Sequence, residues 1–325
     1  MEVSETLIDL KSLSIDLINS DVDSDSVKNI IDEIHTYFRE VTEISGYCSD
    51  VKNMITLPAT NGMALSINHA AQCLLDYKRT YTFLKGFVKA IEDKQKKYPN
   101  ETIQIFYAGC GPYAPFVTLV APLFTPEEVQ FSLLEINKDS LEKAEALIDN
   151  LKLTDYIRAC YLSDATTFHL NQPKSYHILF SETLDALLYR ECYVSILWNL
   201  VPQLSSEITV IPENVKVNLF FKEKSEETFK ATLFDVKNEV AFSKPKLNLP
   251  EQFSSVRVDL TKADKYDRIV LVTEVQVYKE LLLERNESSL TLTLEMEIEK
   301  PIVNRAVLFT YHTRPNMELK FTLEK

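Results

Sequence analysis

The feature that most restricts the fold of this chain is a short apolar segment that runs directly into a glycine-containing turn. Residues 103–107 read IQIFY, and residues 108–112, here called the glycine loop, read Ala-Gly-Cys-Gly-Pro. The apolar run predicts a buried strand. Because neither glycine has a side chain, the backbone can approach a ligand closely. The segment therefore predicts a ligand-binding turn at the end of a strand.

Strands and helices alternate after the glycine loop. Apolar runs predict three more strands, and a helix is predicted between the second and the third. The predicted strands are 103–107, 129–136, 157–162 and 176–180, and the predicted helix is 140–151. Such alternation is typical of a parallel sheet with helical crossovers, so the centre of the chain is predicted to be an α/β, Rossmann-like domain.

The chain on either side of this core has different patterns. Before it, apolar residues recur at helical spacing, first at Leu7, Leu10, Leu13 and Leu17, then over 27–38, and a long helix is predicted at about 66–97. After about residue 214, apolar and polar residues mostly alternate, which predicts an antiparallel, β-rich and barrel-like domain. The predicted division is an N-terminal helical region at 1–65, the Rossmann-like domain at 66–213 and the β-rich domain at 214–325.

Charge and cysteine content narrow the classes of partner. The formal net charge of −13 argues against non-specific binding to nucleic acid or to an anionic membrane, and it suits a cationic partner. The five cysteines are scattered and form no CxxC pair, so neither a disulfide framework nor a zinc site is predicted. The first residues carry acids where a signal peptide would be basic, and no uncharged apolar run approaches roughly 18 residues. We expect a cytoplasmic protein that binds no metal.

The glycine loop and a downstream acid together predict a nucleotide site. Glu135 ends the second predicted strand, 24 residues after Gly111, where its carboxylate could accept hydrogen bonds from ribose hydroxyls. The sequence GCGPYA, with Ala114 as its last small residue, fits the dinucleotide fingerprint. It also fits the shorter glycine loop of methyltransferases. The loop alone leaves open an NAD(P)-dependent oxidoreductase, a methyltransferase and a plain glycine-containing turn.

Two further segments resemble the protein arginine methyltransferases. Asp76, Arg79 and Thr80 match the Asp-x-x-Arg-Thr pattern that precedes the cofactor loop of that family, and they lie about 30 residues before the glycine loop here. Glu182 and Glu191, nine positions apart after the fourth predicted strand, match its double-glutamate loop. The resemblance covers roughly residues 72–222.

The resemblance implies a cofactor, S-adenosyl-L-methionine, and a role for each matching residue. Arg79 would bind the methionine carboxylate of the cofactor, Glu135 the ribose, and Asp164 the adenine amino group, while Glu182 and Glu191 would act on the substrate. The implied cofactor-binding set is Arg79, Gly109, Cys110, Gly111, Glu135 and Asp164, and the implied catalytic pair is Glu182 and Glu191. The resemblance allows a homodimer, although the short β-rich region leaves little room for the family's dimerisation arm.

The implied chemistry agrees with elementary physical arguments. A guanidinium stays charged at ordinary pH, and two carboxylates can hold its planar group by bidentate hydrogen bonds. We therefore predict an N-methyltransferase that acts on a guanidinium or amine of a protein, peptide or small molecule. In a straight helix, nine residues turn through about 900°, which would place the two glutamates on opposite faces. The prediction thus requires a bend between them, although the segment contains no glycine.

Departures from the family pattern define the alternatives. A helical 182–191 segment would indicate a non-catalytic binding module related to methyltransferases. Trp198, the only tryptophan, lies outside the β-rich region, so the family's Thr-His-Trp loop has only a weak substitute at residues 311–313, Tyr-His-Thr. An NAD(P)-dependent oxidoreductase is the remaining alternative.

Overall fold

The computed structural model describes residues 9–21, 25–240 and 248–325. Its N-terminal part is helical, as predicted. The helices are α1 (Leu10–Asn19), α2 (Asp25–Thr42), α3 (Ile67–Gln72) and α4 (Tyr77–Lys97). The single long helix predicted at about 66–97 is thus divided by a 3₁₀ turn at Cys73–Leu75, and Asp76 caps the start of α4. The apolar face predicted on the second helix is buried in α2, including Ile31, Ile34 and Phe38. Leu7, which the sequence assigns to the first helix, lies outside the described residues.

A short hairpin interrupts the helical part where the sequence indicated only a break. Its strands are β1 (Leu57–Pro58) and β2 (Met63–Ala64). Strands of two residues carry no periodic signal, so the hairpin could not be predicted from the pattern. The hairpin lies over the end of the central sheet, where it lines the candidate site described in the next subsection.

The centre of the chain is a five-stranded, all-parallel sheet in the order β5-β4-β3-β6-β7. Its elements are β3 (Ile103–Ala108), α5 (Pro115–Thr118), β4 (Val129–Glu135), α6 (Lys138–Asn150), β5 (Ile157–Leu162), β6 (Ile178–Ser181), α7 (Tyr193–Leu200) and β7 (Thr209–Ile211). This arrangement confirms the predicted Rossmann-like fold. The register aligns Ala108 with Ser181 and with Leu134, and it aligns Glu135 with Leu162. The glycine loop and the segments after β4, β5 and β6 therefore leave the sheet at one edge.

Helix α4 covers this sheet through aromatic side chains. Phe83 and Phe87 are fully buried, and the ring of Phe87 lies 4.6 Å from that of Phe180 on β6. Phe116, which follows the glycine loop, packs against the same ring at 4.5 Å. Each such side chain contributes about 1.5–3 kcal/mol by its burial. This packing fixes the N-terminal turn of α4 beside the carboxyl edge of the sheet.

The C-terminal part is all antiparallel, as predicted, but it is not a closed barrel. Its elements are β8 (Asn214–Glu223), β9 (Glu226–Asp235), α8 (Val236–Glu239), β10 (Val256–Asp259), β11 (Arg268–Tyr278), β12 (Leu281–Leu283), β13 (Leu294–Glu297), β14 (Ala306–His312) and β15 (Glu318–Glu324). One sheet has the order β12-β11-β8-β9, with β13 also paired to β11, and the other has the order β10-β14-β15. Within the described ranges no ladder joins the two sheets. They contact each other through side chains instead, with the ring of Phe234 on β9 stacked on that of Tyr311 on β14 at 4.3 Å.

None of the helices in the described part of the chain is both long enough and apolar enough to cross a bilayer.

Candidate active site

A cavity of about 840 Å³, part of it open to solvent, lies at the carboxyl edge of the parallel sheet. Its walls come from the glycine loop, the segments after β4, β5 and β6, the start of α4 and the hairpin β1–β2. All eight residues selected from the sequence line it, namely Arg79, Gly109, Cys110, Gly111, Glu135, Asp164, Glu182 and Glu191.

The conformation of the glycine loop depends on the absence of side chains at Gly109 and Gly111. Gly109 and Gly111 are left-handed, with φ of +77° and +66°. A β-carbon on Gly109 would overlap Cγ2 of Thr183, whereas one on Gly111 would lie 3.7 Å from Cβ of Ala70. The N–H of Gly109 donates to the carbonyl of Leu134 at 2.8 Å, which ties the loop to β4. The backbone is thereby exposed to the cavity in a fixed shape.

Glu135 holds the glycine loop from the next strand. Its Oε2 accepts the N–H of Gly111 and its Oε1 accepts that of Asn137, both at 2.9 Å. Burial raises the pKa of Glu135, although these N–H groups favour its charged form. Burial also raises the pKa of the neighbouring Cys110 thiol well above its usual range. Because a protonated thiol is a poor nucleophile, Cys110 contributes shape to the loop rather than reactivity.

Asp164 connects the segment after β5 with the hairpin. Its Oδ2 accepts the N–H of Thr60 at 2.7 Å, and its Oδ1 accepts the N–H and hydroxyl of Thr166 at 2.8 and 2.7 Å. Burial would raise the pKa of Asp164, but these hydrogen bonds outweigh it and lower the pKa. At the hairpin's second strand, the N–H of Met63 donates to the carbonyl of Arg190 at 3.0 Å. The hairpin is thus attached at both sides of the cavity.

The segment between the two glutamates, here called the 182–191 loop, bends sharply. It contains a short 3₁₀ turn at Ala186–Leu188, and Leu187, Leu188 and Arg190 have φ of +59°, +55° and +69°. The bend brings Glu182 and Glu191 to the same cavity instead of to opposite faces of a helix. The helical alternative for this loop is therefore not found.

Arg79 lies in the first turn of α4, where Asp76 caps the helix. Its Nε donates to Oε1 of Glu182, and the side chains are only 6% and 8% exposed. Burial raises the pKa of Glu182, and the charge of Arg79 opposes that shift. The guanidinium that the resemblance assigns to a cofactor carboxylate is thus paired with the first glutamate in this structure. Removing one partner of such a buried pair is costly, because it leaves the other charge uncompensated.

Glu191 has a less compensated environment than Glu182. Burial, with the negative charge of Asp185 adding to it, raises the pKa of Glu191 to about 8, although Arg79 opposes the shift. Asp185 itself has a pKa raised by burial to about 6, which Arg190 opposes from 3.6 Å. A cationic group that entered the cavity would favour the charged form of Glu191. The cavity therefore suits a cation near its second glutamate.

Several lining residues were missed by the sequence analysis. The hairpin contributes Ala59 and Met63, and Thr183 fills the space above Gly109. No spacing or residue type marks them, since their contribution comes from packing across elements. Tyr311, part of the segment considered a weak substitute for the family's closing loop, does not line the cavity. Its hydroxyl donates instead to the carbonyl of Leu188 at 2.7 Å, behind the 182–191 loop.

No protein-family profile and no curated protein matches this chain. Among solved structures, it is similar to the Trypanosoma brucei PRMT1 enzyme–prozyme heterotetrameric complex with AdoHcy. That match has a TM-score of 0.48 and 9% identity, and it covers 78% of this chain and 96% of that chain. It is also similar to Arabidopsis thaliana protein arginine methyltransferase 10 in an open conformation, with a TM-score of 0.43 and 10% identity, covering 75% of this chain and 94% of that chain. The similarity is weak at this level of identity.

Proposed function

We propose that this protein is an S-adenosyl-L-methionine-dependent N-methyltransferase that acts on a guanidinium or another amine nitrogen. The observation that carries the proposal is the bend in the 182–191 loop. It places two buried carboxylates in the cavity that also holds the glycine loop and Arg79. The proposed cofactor site and the proposed cation-binding site therefore share one cavity, as a methyl transfer between them requires.

The residues at the carboxyl edge of the sheet fit the proposed cofactor. The backbone of Gly109, Cys110 and Gly111 would hold it closely, Arg79 would pair with its carboxylate, and Glu135 would accept from its ribose hydroxyls. Asp164 would accept from its adenine amino group. Oδ2 of Asp164 and the two oxygens of Glu135 each already accept one backbone N–H, and a carboxylate oxygen can accept a second hydrogen bond. When bound, the cofactor supplies an electrophilic methyl group on a sulfonium.

Glu182 and Glu191 would hold the acceptor nitrogen. Two carboxylates in a buried site can fix a planar guanidinium, and such positioning is worth on the order of 7–11 kcal/mol in the best cases. The nitrogen that gains a methyl group must lose a proton. An Oε atom of Glu191 can receive it once the cationic acceptor has shifted this carboxyl towards its charged form.

The alternatives lack comparable support. A nicotinamide oxidoreductase would use the glycine loop and Glu135, but hydride transfer gives no role to a buried Arg79–Glu182 pair beside a second glutamate. A non-catalytic binding module was predicted to have a helical 182–191 segment, and the loop is bent.

We further propose that residues 1–65, 66–213 and 214–325 form separate domains. We also propose that the protein is cytoplasmic, and its five free cysteines support this location. A homodimer stays a prediction.

The proposal is tested by ligand binding and by transfer of a labelled methyl group to arginine-containing peptides and free amines. Calorimetry should detect binding of S-adenosylhomocysteine to the protein and no binding of NADH. Glu182→Gln and Glu191→Gln should each lower turnover on the order of 100-fold or more, because a misplaced acceptor loses that much rate. Their affinity for S-adenosylhomocysteine should change far less. Arg79→Ala should instead weaken that affinity on the order of 10- to 100-fold, through the lost charged hydrogen bonds.

Glu142→Gln serves as the matched control, because Glu142 is an exposed glutamate on α6 whose side chain is 60% accessible. It should leave both turnover and affinity unchanged. Undiminished turnover in both Glu182→Gln and Glu191→Gln would refute the carboxylate-pair mechanism. Binding of NADH without S-adenosylhomocysteine would refute the choice of cofactor.

A further inference from the structure

The 182–191 loop holds an unfavourable backbone without glycine. Leu187, Leu188 and Arg190 all have positive φ. Residues with a β-carbon avoid this region because the β-carbon crowds the backbone. Three such residues within four positions are therefore unlike a loop that folds by local preference, and contacts from elsewhere must favour the conformation.

Each of the three left-handed residues has a hydrogen bond to the C-terminal part of the chain. The N–H of Leu187 donates to Oγ1 of Thr273 on β11 at 2.7 Å. The hydroxyl of Tyr311 on β14 donates to the carbonyl of Leu188 at 2.7 Å. The N–H of Arg190 donates to the carbonyl of Met317, just before β15, at 2.8 Å. Both antiparallel sheets thus contact the bend.

The partners that the C-terminal part of the chain supplies to these three bonds are buried. Thr273 and Tyr311 are each 1% exposed and Met317 is fully buried. A buried polar group left without its partner is unfavourable, so the bonds hold the loop backbone firmly. The ring of Tyr311 is already packed on Phe234, hence its hydroxyl is not needed for that packing.

The hydrogen bonds inside the loop at Leu188 and Tyr189 do not select the left-handed path. The N–H of Leu188 donates to the carbonyl of Asp185 at 3.0 Å, and that of Tyr189 to the carbonyl of Ala186 at 3.3 Å. Both bonds join residues three apart, which an ordinary right-handed 3₁₀ turn would also make. At Leu187 and Leu188, the hydrogen bonds specific to the left-handed path come from Thr273 and Tyr311 of the C-terminal sheets. Arg190 has further support, because the N–H of Glu191 donates to the carbonyl of Tyr189 at 2.9 Å and the N–H of Met63 donates to the carbonyl of Arg190 at 3.0 Å.

We infer that Thr273 and Tyr311 are positioning residues, which impose the bend that brings Glu182 and Glu191 together. The inference rests on the proposed function, because the two glutamates are the groups being positioned. In this arrangement the C-terminal sheets hold the conformation of the 182–191 loop, and the α/β domain does not complete the acceptor site by itself.

The test removes single polar groups and keeps the packing. Tyr311→Phe deletes the hydroxyl, and Thr273→Val deletes the acceptor at nearly constant volume. Each should lower kcat on the order of 10- to 100-fold, because displacement of reacting groups by about 1 Å costs that much. The affinity for S-adenosylhomocysteine should stay within a few-fold of the wild type. Thr273→Ser, which keeps the Oγ atom, should restore kcat.

Tyr266→Phe is the matched control. Tyr266 is a buried tyrosine of the same region, 5% exposed, whose hydroxyl contacts Lys230 and Thr228 rather than the loop. It should leave kcat unchanged. The inference is overturned if Tyr311→Phe and Thr273→Val retain wild-type kcat. It is equally overturned if both variants lower kcat, cofactor affinity and thermal stability together and Tyr266→Phe, contrary to expectation, does the same.

A second readout does not require methyl transfer. Hydrogen exchange should accelerate at the amide of Leu187 in Thr273→Val. The titration of Glu191, observed by ¹³C NMR of its carboxyl carbon and assigned with Glu191→Gln, should shift in both variants. Unchanged exchange and an unchanged titration overturn the inference. If the wild type transfers no methyl group, the proposed function fails, while these two measurements still decide whether the sheets shape the loop.

Discussion

The packing of Gly109 can be separated from its backbone conformation by comparison with Gly111. Both residues are left-handed, so alanine at either position costs about 1–2 kcal/mol. Only at Gly109 would the new methyl group overlap a neighbour, Cγ2 of Thr183. Overpacking of this kind adds about 1–3 kcal/mol. We expect Gly109→Ala to lower the free energy of unfolding by about 2–5 kcal/mol and Gly111→Ala by about 1–2 kcal/mol.

A second substitution should relieve the overlap. Thr183→Ser removes the methyl group concerned, after which the nearest side-chain atom to the new carbon would be Cβ of residue 183 at 3.8 Å, an ordinary contact. The hydroxyl of Thr183 lies 3.0 Å from that of Ser181, and this hydrogen bond should hold serine in the same rotamer. The double variant Gly109→Ala/Thr183→Ser should therefore show a favourable coupling energy of about 1–3 kcal/mol.

The free energy of unfolding is measured by urea titration for Gly109→Ala, Gly111→Ala, Thr183→Ser and the double variant. Circular dichroism and the fluorescence of Trp198, the only tryptophan of the chain, monitor the unfolding. The reduced chain entropy of alanine in the unfolded state affects both glycine positions alike, so it cancels in their comparison. Equal destabilisation by Gly109→Ala and Gly111→Ala would refute the steric reasoning. So would a double variant whose effects add to within about 0.5 kcal/mol.

Two further predictions concern the carboxylates of the cavity. The pKa of Glu191 is raised from 4.5 to about 8, so the folded protein binds more protons than the unfolded chain between these values, and its free energy of unfolding should fall as the pH rises from about 5 to about 8. Glu191→Gln should flatten this dependence in urea unfolding curves, and an equally steep dependence would contradict the raised pKa. Asp164→Asn would turn an amide donor towards the N–H of Thr60, so hydrogen exchange at Thr60 should accelerate on the order of 10-fold or more. Unchanged protection would mean that other contacts hold the hairpin.

The α/β core was predictable because its signals are local. The apolar run before Gly109 and the acid at Glu135 are each read from a few neighbouring residues, and parallel strands then bring their carboxyl ends to one edge. The C-terminal strands were also recognisable by alternation. Alternation identifies the faces of a strand but not its partner, so the arrangement as two packed sheets rather than a closed barrel could not be derived from the sequence.

The convergence of Glu182 and Glu191 is different, because the cause of the bend is distant. Thr273 lies 86 positions from Leu187, and Tyr311 lies 123 positions from Leu188. The loop itself contains no glycine to indicate a left-handed turn. Its local sequence is compatible with a helix, and tertiary contacts override that preference. The ion pair of Arg79 with Glu182 was hidden for the same reason, since the two motifs carry no mark of their contact.

The strand order also determines how far apart the two ends of the cavity lie. Asp164 follows β5 and Glu182 follows β6, and β4 and β3 lie between those strands. Three gaps between neighbouring strands, at about 4.8 Å each, separate the two acids by roughly 14 Å along the edge of the sheet. The hairpin β1–β2 is attached at the β5 side through Thr60 and at the β6 side through Met63, so it spans this edge like a bridge. A ligand that touches both acids must therefore extend along this edge beneath the hairpin. Side-chain substitutions cannot change the distance between the strand ends, because the number of strands determines it.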